Sequence, residues 1–349
     1  MQPAPAAAKW NVPAIESVEA LADWLALTPD DLACSPISAD SRIAPTARGL
    51  PTTATVKRSG GGRPRLIEAP KRTLKLLQRQ VLGRILEPIP PHPSAHSFLR
   101  GRSTKTFVAP HVAQRVVLRM DLQDFFPTIT RARVQALFRT LGYPEPVADL
   151  LGGLCSNATP RHAWNDAPPG IDHRLAIEAR ALHAPPHLPQ GAPTSPALAN
   201  LCAWRLDCRL AGIAASTGAI YTRYADDLAF SGDAEFERRA ERFAAHAAAI
   251  VAEEGFAVNH RKTRVMRQGV RQQLAGLVTN QHANVPRAEF DRLKAILTNC
   301  ARSGCETQNR DGHPSFYAHL AGRVSYFESI NPTKARRLRA IFDQIVNPS

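Results

Sequence analysis

The chain has 349 residues, 44% of them hydrophobic, so it can bury a sizeable core and is not a disordered protein. Lysine and arginine outnumber aspartate and glutamate by 44 to 30, and the resulting net charge of +14 favours a polyanionic partner, nucleic acid first. Residues 1–9 lack the apolar core of a signal peptide, and no apolar run is long enough to span a bilayer. We therefore expect a cytoplasmic protein without a membrane partner.

The first third of the chain alternates helical and strand-like patterns. Apolar residues at helical spacing from Ile15 to Leu25 predict an N-terminal helix. Gly60–Gly62 lies between two short β-like runs, which predicts a hairpin, and Thr73–Leu86 has the periodicity of an amphipathic helix. The run Val116–Asp121 predicts a strand that ends on a carboxylate, and Thr130 is placed to cap the helix that follows.

The second half of the chain begins with an irregular segment. Residues 156–187 are rich in His, Pro and Ala and show weak periodicity, so we interpret them as an insertion or a long connection. The apolar run 219–232 carries Asp226 and Asp227 at its middle and predicts a hairpin with an acidic turn. A helix from Ala234 to Glu254, strand-like segments near Ala257-Val258 and Leu274–Val278, and a basic helical remainder follow. This order of elements predicts an α+β fold.

The six cysteines include no CxxC pair, so we expect core thiols in a reducing compartment. Cys202 and Cys208 both lie in a helical apolar pattern, which agrees with that expectation. Alternatively, four residues could bind zinc: Cys300, Cys305, His313 and His319. The gap between Cys305 and His313 is short for a zinc finger and argues against this use.

The acidic pair at the predicted turn suggests a metal site. Adjacent carboxylates beside a core cost free energy unless a cation neutralises them. An isolated Asp-Asp pair is more often a solvated turn, but Asp226 and Asp227 are flanked on both sides by apolar strand residues. In an antiparallel sheet Asp121, at one strand end, can lie beside this turn. These three carboxylates offer the oxygen ligands that Mg²⁺ prefers, and two divalent ions can support nucleotidyl transfer.

Several further segments occur together with these acidic residues in an order and spacing typical of one enzyme family. On these segments the chain resembles the reverse transcriptases, and among them the bacterial retron-type enzymes. The resemblance extends over roughly residues 15–345. The segments that carry it are Arg65–Gln78, Ser94–Ser103, Asp121–Pro127, Leu188–Pro196, Tyr224–Asp227 and Gly255–Thr263.

The resemblance implies the fold of a right-hand polymerase, with fingers, a ferredoxin-like palm and a short helical thumb. We assign 1–50 to an N-terminal helical extension and 51–115 to the fingers. Residues 116–280 are then the palm, with the insertion at 156–187, and residues 281–349 are the thumb.

The resemblance also implies catalytic roles. Asp121, Asp226 and Asp227 would be the metal ligands, for Mg²⁺ or Mn²⁺. Lys262 matches the lysine that protonates the leaving pyrophosphate, although an exposed cation without that role would give the same pattern.

Further residues match the nucleotide-binding segments of the family. Phe126 matches the steric gate that excludes a ribose 2′-hydroxyl, with simple core packing as the alternative. Gln190 and Gly191 match the segment that lines the incoming nucleotide and template base. Arg63 or Arg65 would hold the triphosphate, because a guanidinium group can bind two phosphate oxygens at once.

The nucleic-acid partners follow from the same resemblance. Arg100, Arg102 and Lys105 would contact template phosphates without reading sequence. The implied partners are an RNA template, a noncoding RNA, the DNA product as an RNA–DNA hybrid, dNTP substrates and an effector protein.

The function implied is that of an RNA-directed DNA polymerase that copies a noncoding RNA into single-stranded DNA in phage defence. One alternative is a bacterial reverse transcriptase outside the retrons. Another is an RNA-directed RNA polymerase, which would favour a small or polar residue at Phe126. A third is an RNA-binding protein without catalysis, against which the intact acidic triad argues.

Overall fold

The computed structural model describes residues 10–28, 52–57, 63–165 and 167–345. They form two compact units, each assembled from separate stretches of the chain. The first unit comprises the described residues within 1–98, 122–210 and 248–259, and the second comprises those within 99–121, 211–247 and 260–349.

Helices and antiparallel strands are both present, which confirms the α+β prediction. The strands are β1 (Thr52–Lys57), β2 (Arg65–Pro70), β3 (Val116–Asp121), β4 (Ile220–Tyr224), β5 (Asp227–Gly232), β6 (Arg264–Arg267), β7 (Gln273–Leu274) and β8 (Leu277–Val278). The helices are α1 (Val18–Leu25), α2 (Arg72–Val81), α3 (Thr104–Val108), α4 (Arg131–Thr140), α5 (Glu145–Cys155), α6 (His173–His183), α7 (Ser195–Cys202), α8 (Trp204–Ser216), α9 (Ala234–Glu253), α10 (Arg287–Ser303), α11 (Phe316–Ile330) and α12 (Pro332–Phe342). Over the residues described, none of these helices is long and apolar enough to cross a membrane.

The first unit contains the predicted hairpin, formed by the antiparallel strands β1 and β2. Its predicted tip, residues 58–62, lies outside the described residues. Val56 and Leu66 are paired across the hairpin and are buried against Trp164 and Ala179. The last two residues belong to segment 156–187, which contains the helix α6. The segment interpreted as an insertion or a long connection therefore contains a helix, and contacts with the hairpin stabilise this helix although its own periodicity is weak.

The second unit is built on a four-stranded antiparallel sheet with the strand order β4–β5–β3–β6. The strand β3 lies inside the sheet and is almost wholly buried, as its apolar run predicts. Its Val117, with Ala229 of β5, belongs to a core that also includes apolar side chains of α10, α11 and α12. The basic remainder after residue 286 is helical, as expected.

Two short strand assignments differ from the sequence prediction. The edge strand β6 was not expected, because its sequence, Arg264-Val265-Met266-Arg267, is short and only partly buried. The strand-like pair Ala257-Val258 forms only an isolated bridge, between Leu122 and Val258. Pairing with a neighbour, rather than the local pattern, decides whether such short runs become strands.

The cysteine predictions hold in part. Cys155, Cys202, Cys300 and Cys305 are buried free thiols, whereas Cys208 is exposed, which corrects the expectation for that residue. Cys34 lies outside the described residues. The alternative of a zinc site at Cys300 and Cys305 finds no support, since in the described part of the chain no three such ligands are arranged to hold a metal ion.

Candidate active site

Two of the three acidic residues are paired on adjacent strands of the four-stranded sheet. The strand β3 ends at Asp121, β5 begins at Asp227, and these residues are directly opposite in register. Cβ atoms at such positions lie about 5 Å apart. Asp226 occupies the two-residue turn between β4 and β5. The expectation that Asp121 would lie beside this turn is therefore confirmed, and the strand pairing is its cause.

The turn that carries Asp226 is held in a specific conformation. Ala225 has a φ of +54°, in the left-handed region that two-residue hairpin turns require at their first position. The guanidinium group of Arg223 is fully buried and donates a hydrogen bond to the Ala225 carbonyl at 3.2 Å. Sequence reasoning missed Arg223, although an arginine inside an apolar strand is itself a signal of a buried polar contact.

Two cationic side chains contact the carboxylates. Arg119 donates from Nε and Nη2 to Oδ1 of Asp227, at 2.8 and 2.6 Å. Lys262 Nζ lies 2.9 and 3.1 Å from the two oxygens of Asp121, so the structure places this lysine at the acidic cluster. The sequence analysis did not identify Arg119. It lies two residues before Asp121, and this spacing puts both side chains on one face of a strand.

The cluster carries strong negative charge in a confined space. Burial is the largest cause that raises the pKa of Asp226, to about 6, and the charges of Asp227 and Asp121 raise it further. Burial also raises the pKa of Asp227, against the opposing effect of Arg119. The folded protein therefore favours a proton, or another cation, at Asp226.

The donor set fits a divalent cation. Three carboxylates provide only oxygen ligands, which suit Mg²⁺ or Mn²⁺. The pKa of Asp226 is raised by burial first and by the two neighbouring carboxylates second, and a bound cation would stabilise the charge that both effects disfavour. In the described ranges, however, no three potential ligands are arranged to hold a metal ion as they stand. Lys262 contacts both oxygens of Asp121, so a metal ion would have to compete with it there, whereas Arg119 contacts only Oδ1 of Asp227.

This electrostatic strain predicts a measurable dependence of stability on pH. The pKa of Asp226 rises from 3.8 to about 6 on folding, so stability falls as pH rises through that interval. Above about pH 6 the cost is complete and amounts to ~3 kcal/mol. We therefore expect Asp226→Asn to raise the Tm of the metal-free protein at pH 8 and to lose this advantage below pH 4.

Thermal denaturation with EDTA, at both pH values, measures this effect. Added Mg²⁺ should raise the Tm of the wild-type protein more than that of Asp226→Asn, because the variant lacks the strained charge. A lower Tm for the variant at pH 8 in EDTA would contradict the assignment of strain to Asp226.

The predicted triphosphate-binding arginines lie in the first unit. Arg63 is engaged by two carboxylates, at Asp124 and at Glu178 of α6, where Nη2 lies 2.9 Å from Oε2. Arg65 begins β2 and is exposed. Of the two candidates, Arg63 would therefore have to exchange protein carboxylates for phosphate, whereas Arg65 already faces solvent.

The predicted sugar gate and the nucleotide-lining segment also belong to the first unit. Phe126 is partly buried, and its ring packs edge-on against Phe98 and Phe125, with centroids 6.2 and 5.7 Å apart. Gly191 has a φ of +135°, and a Cβ there would lie 2.9 Å from the carbonyl oxygen of Glu68. Glycine is therefore required after Gln190 both by conformation and by close approach.

The predicted template-binding cations lie in the second unit. Arg100 and Arg102 precede α3, Lys105 lies within it, and all three are exposed. Lys105 Nζ donates to the carbonyl of Ser329 at 2.8 Å, at the end of α11. Their contact with phosphate stays a prediction.

Known proteins resemble this chain over most of its length. A profile of the family described as "Reverse transcriptase (RNA-dependent DNA polymerase)" matches residues 56–285. The retron Mx65 reverse transcriptase of Myxococcus xanthus is 46% identical over 287 residues, which are 82% of this chain and 62% of that protein. The retron Mx162 reverse transcriptase of the same organism is 36% identical over 343 residues, which are 93% of this chain and 66% of that protein. The retron Ec86 reverse transcriptase of Escherichia coli is 31% identical over 288 residues, which are 81% of this chain and 78% of that protein.

This chain thus spans less than two thirds of the length of the two Myxococcus relatives. The range matched by the family profile contains Asp121, Asp226, Asp227 and Lys262, the residues that form the acidic cluster and its cationic partner. On these matches, the chain belongs to the bacterial retron-type reverse transcriptases.

Proposed function

We propose that this chain is an RNA-directed DNA polymerase that copies a noncoding RNA template into single-stranded DNA. The observation that carries the proposal is the pairing of Asp121 with Asp227, beside Asp226, in a chain of the reverse transcriptase family. Reverse transcriptases use divalent metal ions, and we propose Mg²⁺ or Mn²⁺ at these three carboxylates. A pair of such ions would activate the primer hydroxyl and stabilise the leaving oxygens.

The remaining residues of the cluster act through charge and position. Arg119 orients the Asp227 carboxylate by donating two hydrogen bonds to Oδ1, and Oδ2 is then the oxygen that binds a metal ion. Lys262, beside Asp121, donates a proton to the leaving pyrophosphate. The buried Arg223 fixes the turn and thereby the direction of Asp226.

The nucleotide-binding residues select and hold a dNTP. Arg63 and Arg65 bind the triphosphate, and Phe126 excludes the ribose 2′-hydroxyl by its bulk. Gln190 and Gly191 line the incoming nucleotide and the template base, and the absence of a side chain at Gly191 lets this segment lie against the Glu68 carbonyl. Selection of this kind removes competing ribonucleotides before the chemical step.

The proposal extends to architecture and biological setting. Residues 51–115, 116–280 and 281–349 serve as fingers, palm and thumb after the N-terminal extension 1–50. Arg100, Arg102 and Lys105 and the net charge of +14 support binding of RNA and of the RNA–DNA hybrid. The curated relatives are named as retron reverse transcriptases, and we propose a corresponding role in the cytoplasm, in phage defence with an effector protein.

Primer extension on an RNA template tests the proposal. We expect Mg²⁺-dependent incorporation of dNTPs, no extension in EDTA, and little use of NTPs. Preferential use of NTPs would indicate an RNA-directed RNA polymerase instead. RNA binding without any extension, in Mg²⁺ or Mn²⁺, would indicate a catalytically silent RNA-binding protein, and either result would overturn the proposal.

A further inference from the structure

A buried polar network in the first unit surrounds Glu68 of β2. The side chain of Glu68 is inaccessible to solvent. Its Oε1 accepts hydrogen bonds from Asn157 Nδ2 and Thr159 Oγ1, both at 2.6 Å, and its Oε2 lies 2.8 Å from His187 Nε2. Three side chains from segment 156–187 thus converge on one carboxylate of the hairpin.

The partners of His187 require a proton between it and Glu68. The second ring nitrogen, Nδ1, lies 2.9 Å from the carbonyl oxygen of Pro185, which can only accept. Nδ1 must therefore donate, and the contact between Nε2 and Glu68 needs a second proton. Burial raises the pKa of Glu68, but the hydrogen bond and charge of His187 and the hydrogen bonds from Thr159 and Asn157 together lower it below its usual value. Glu68 and His187 are therefore joined by a buried, charge-assisted hydrogen bond.

The same glutamate is bonded to the segment predicted to line the nucleotide. The backbone N–H of Glu68 donates to the carbonyl of Gln190 at 2.9 Å, and the Glu68 carbonyl lies against Gly191. His187 stands three residues before Gln190 and exchanges two backbone hydrogen bonds with Asn157, each 2.9 Å long. Segment 187–191 is therefore held by Glu68 at both ends, by its side chain at one and by its backbone at the other.

We infer that the buried Glu68–His187 pair has a positioning role: it holds Gln190 and Gly191 in the conformation that binds a deoxynucleoside triphosphate. This inference rests on the proposed function. Neither member of the pair is exposed, so neither touches the substrate, and both act through segment 187–191. Because that segment binds the nucleotide before the chemical step, its displacement should raise the KM for dNTP more than it lowers kcat.

Three variants separate positioning from a general loss of stability. His187→Gln leaves the Glu68 charge buried and uncompensated, and we expect the KM for dNTP to rise about tenfold or more, with kcat changed much less. Glu68→Gln leaves every hydrogen bond available, because a neutral imidazole can accept from the amide. It should therefore have a smaller effect than His187→Gln. The double variant removes the uncompensated charge and should recover part of the lost affinity.

His111 provides a matched control. It is also a fully buried histidine, with Ser231 Oγ 2.6 Å from Nδ1 and Thr222 Oγ1 2.8 Å from Nε2, but it belongs to the second unit. His111→Gln should lower the Tm without changing the KM for dNTP. An equal rise in KM for this control would overturn the inference, because it would identify the effect as general destabilisation.

Steady-state primer extension on an RNA template measures these constants, with the Tm of each variant recorded alongside. A folded His187→Gln with wild-type KM, or a double variant no better than His187→Gln, would overturn the inference. If His187→Gln does not fold, Thr159→Val removes a single hydrogen bond to Glu68. It should then raise the KM about threefold, and an unchanged KM would be a refutation. In each of these cases the wild type still extends the primer, whereas failure of the proposed function would show as an inactive wild type.

Discussion

Replacement of Asp226 and Asp227 together by asparagine is expected to reduce primer extension by a factor on the order of 10³ or more. The physical reason is the loss of two of the three negative charges proposed to hold divalent cations where β3 ends and β5 begins. Asparagine keeps the size of each side chain and one oxygen, so the hairpin should still form. The rate of dNTP incorporation at saturating Mg²⁺ is the quantity to measure.

RNA binding should survive in the same variant. The two substitutions remove two negative charges, so the count of acidic residues falls from 30 to 28 and the net charge rises from +14 to +16. Affinity for the phosphate backbone depends on lysine and arginine and should not weaken. Glu235→Gln with Glu241→Gln is the charge-matched control, because both glutamates are exposed on α9. Full extension by the Asp226/Asp227 variant would refute the metal-site assignment.

Replacement of Phe126 by alanine is expected to reduce the preference for dNTPs over NTPs, by a factor on the order of 10². The aromatic ring is partly exposed and is held from two sides by Phe98 and Phe125, so it cannot readily move away from a ribose 2′-hydroxyl. Truncation to alanine removes the obstruction, while dNTP incorporation should change little. The ratio of kcat/KM for a matched dNTP and NTP measures this preference.

Phe126→Tyr is the appropriate control, since it keeps the ring and should keep the preference. Phe126→Ala with undiminished selectivity would show that the residue only packs in the core, which is the alternative that the sequence left open. A wild-type enzyme that already uses NTPs as well as dNTPs would argue against the gate altogether.

Local patterns in the sequence identified the elements that carry the acidic residues. The apolar run before Asp121 and the run interrupted by Asp226 and Asp227 both predicted strands, and both are present as β3 and the β4–β5 hairpin. A buried strand has a continuous apolar sequence, and a tight turn favours particular residue types. Both can therefore be recognised from the local sequence. The order of the matched segments also predicted the family before any contact was known.

The sequence failed where stability depends on distant partners. Segment 156–187 has weak periodicity, yet α6 forms there, and Ala179 packs against the β1–β2 hairpin. The strand β6 has a mixed, half-exposed sequence and is a strand because Val265 pairs with Leu118 of β3. Cys208 shares a helical pattern with Cys202 but lies on the exposed side.

Residue types and their spacing along the chain are sufficient to predict the family, the α+β class and the proximity of the three acidic residues. Which polar side chains form pairs is visible only in the folded chain: Arg119 with Asp227, Lys262 with Asp121, and Glu68 with His187. All three pairs join residues more than a hundred positions apart, and Arg119 reaches Asp227 only through the pairing of β3 with β5. Side-chain direction and burial set such contacts, and neither quantity is local to the chain.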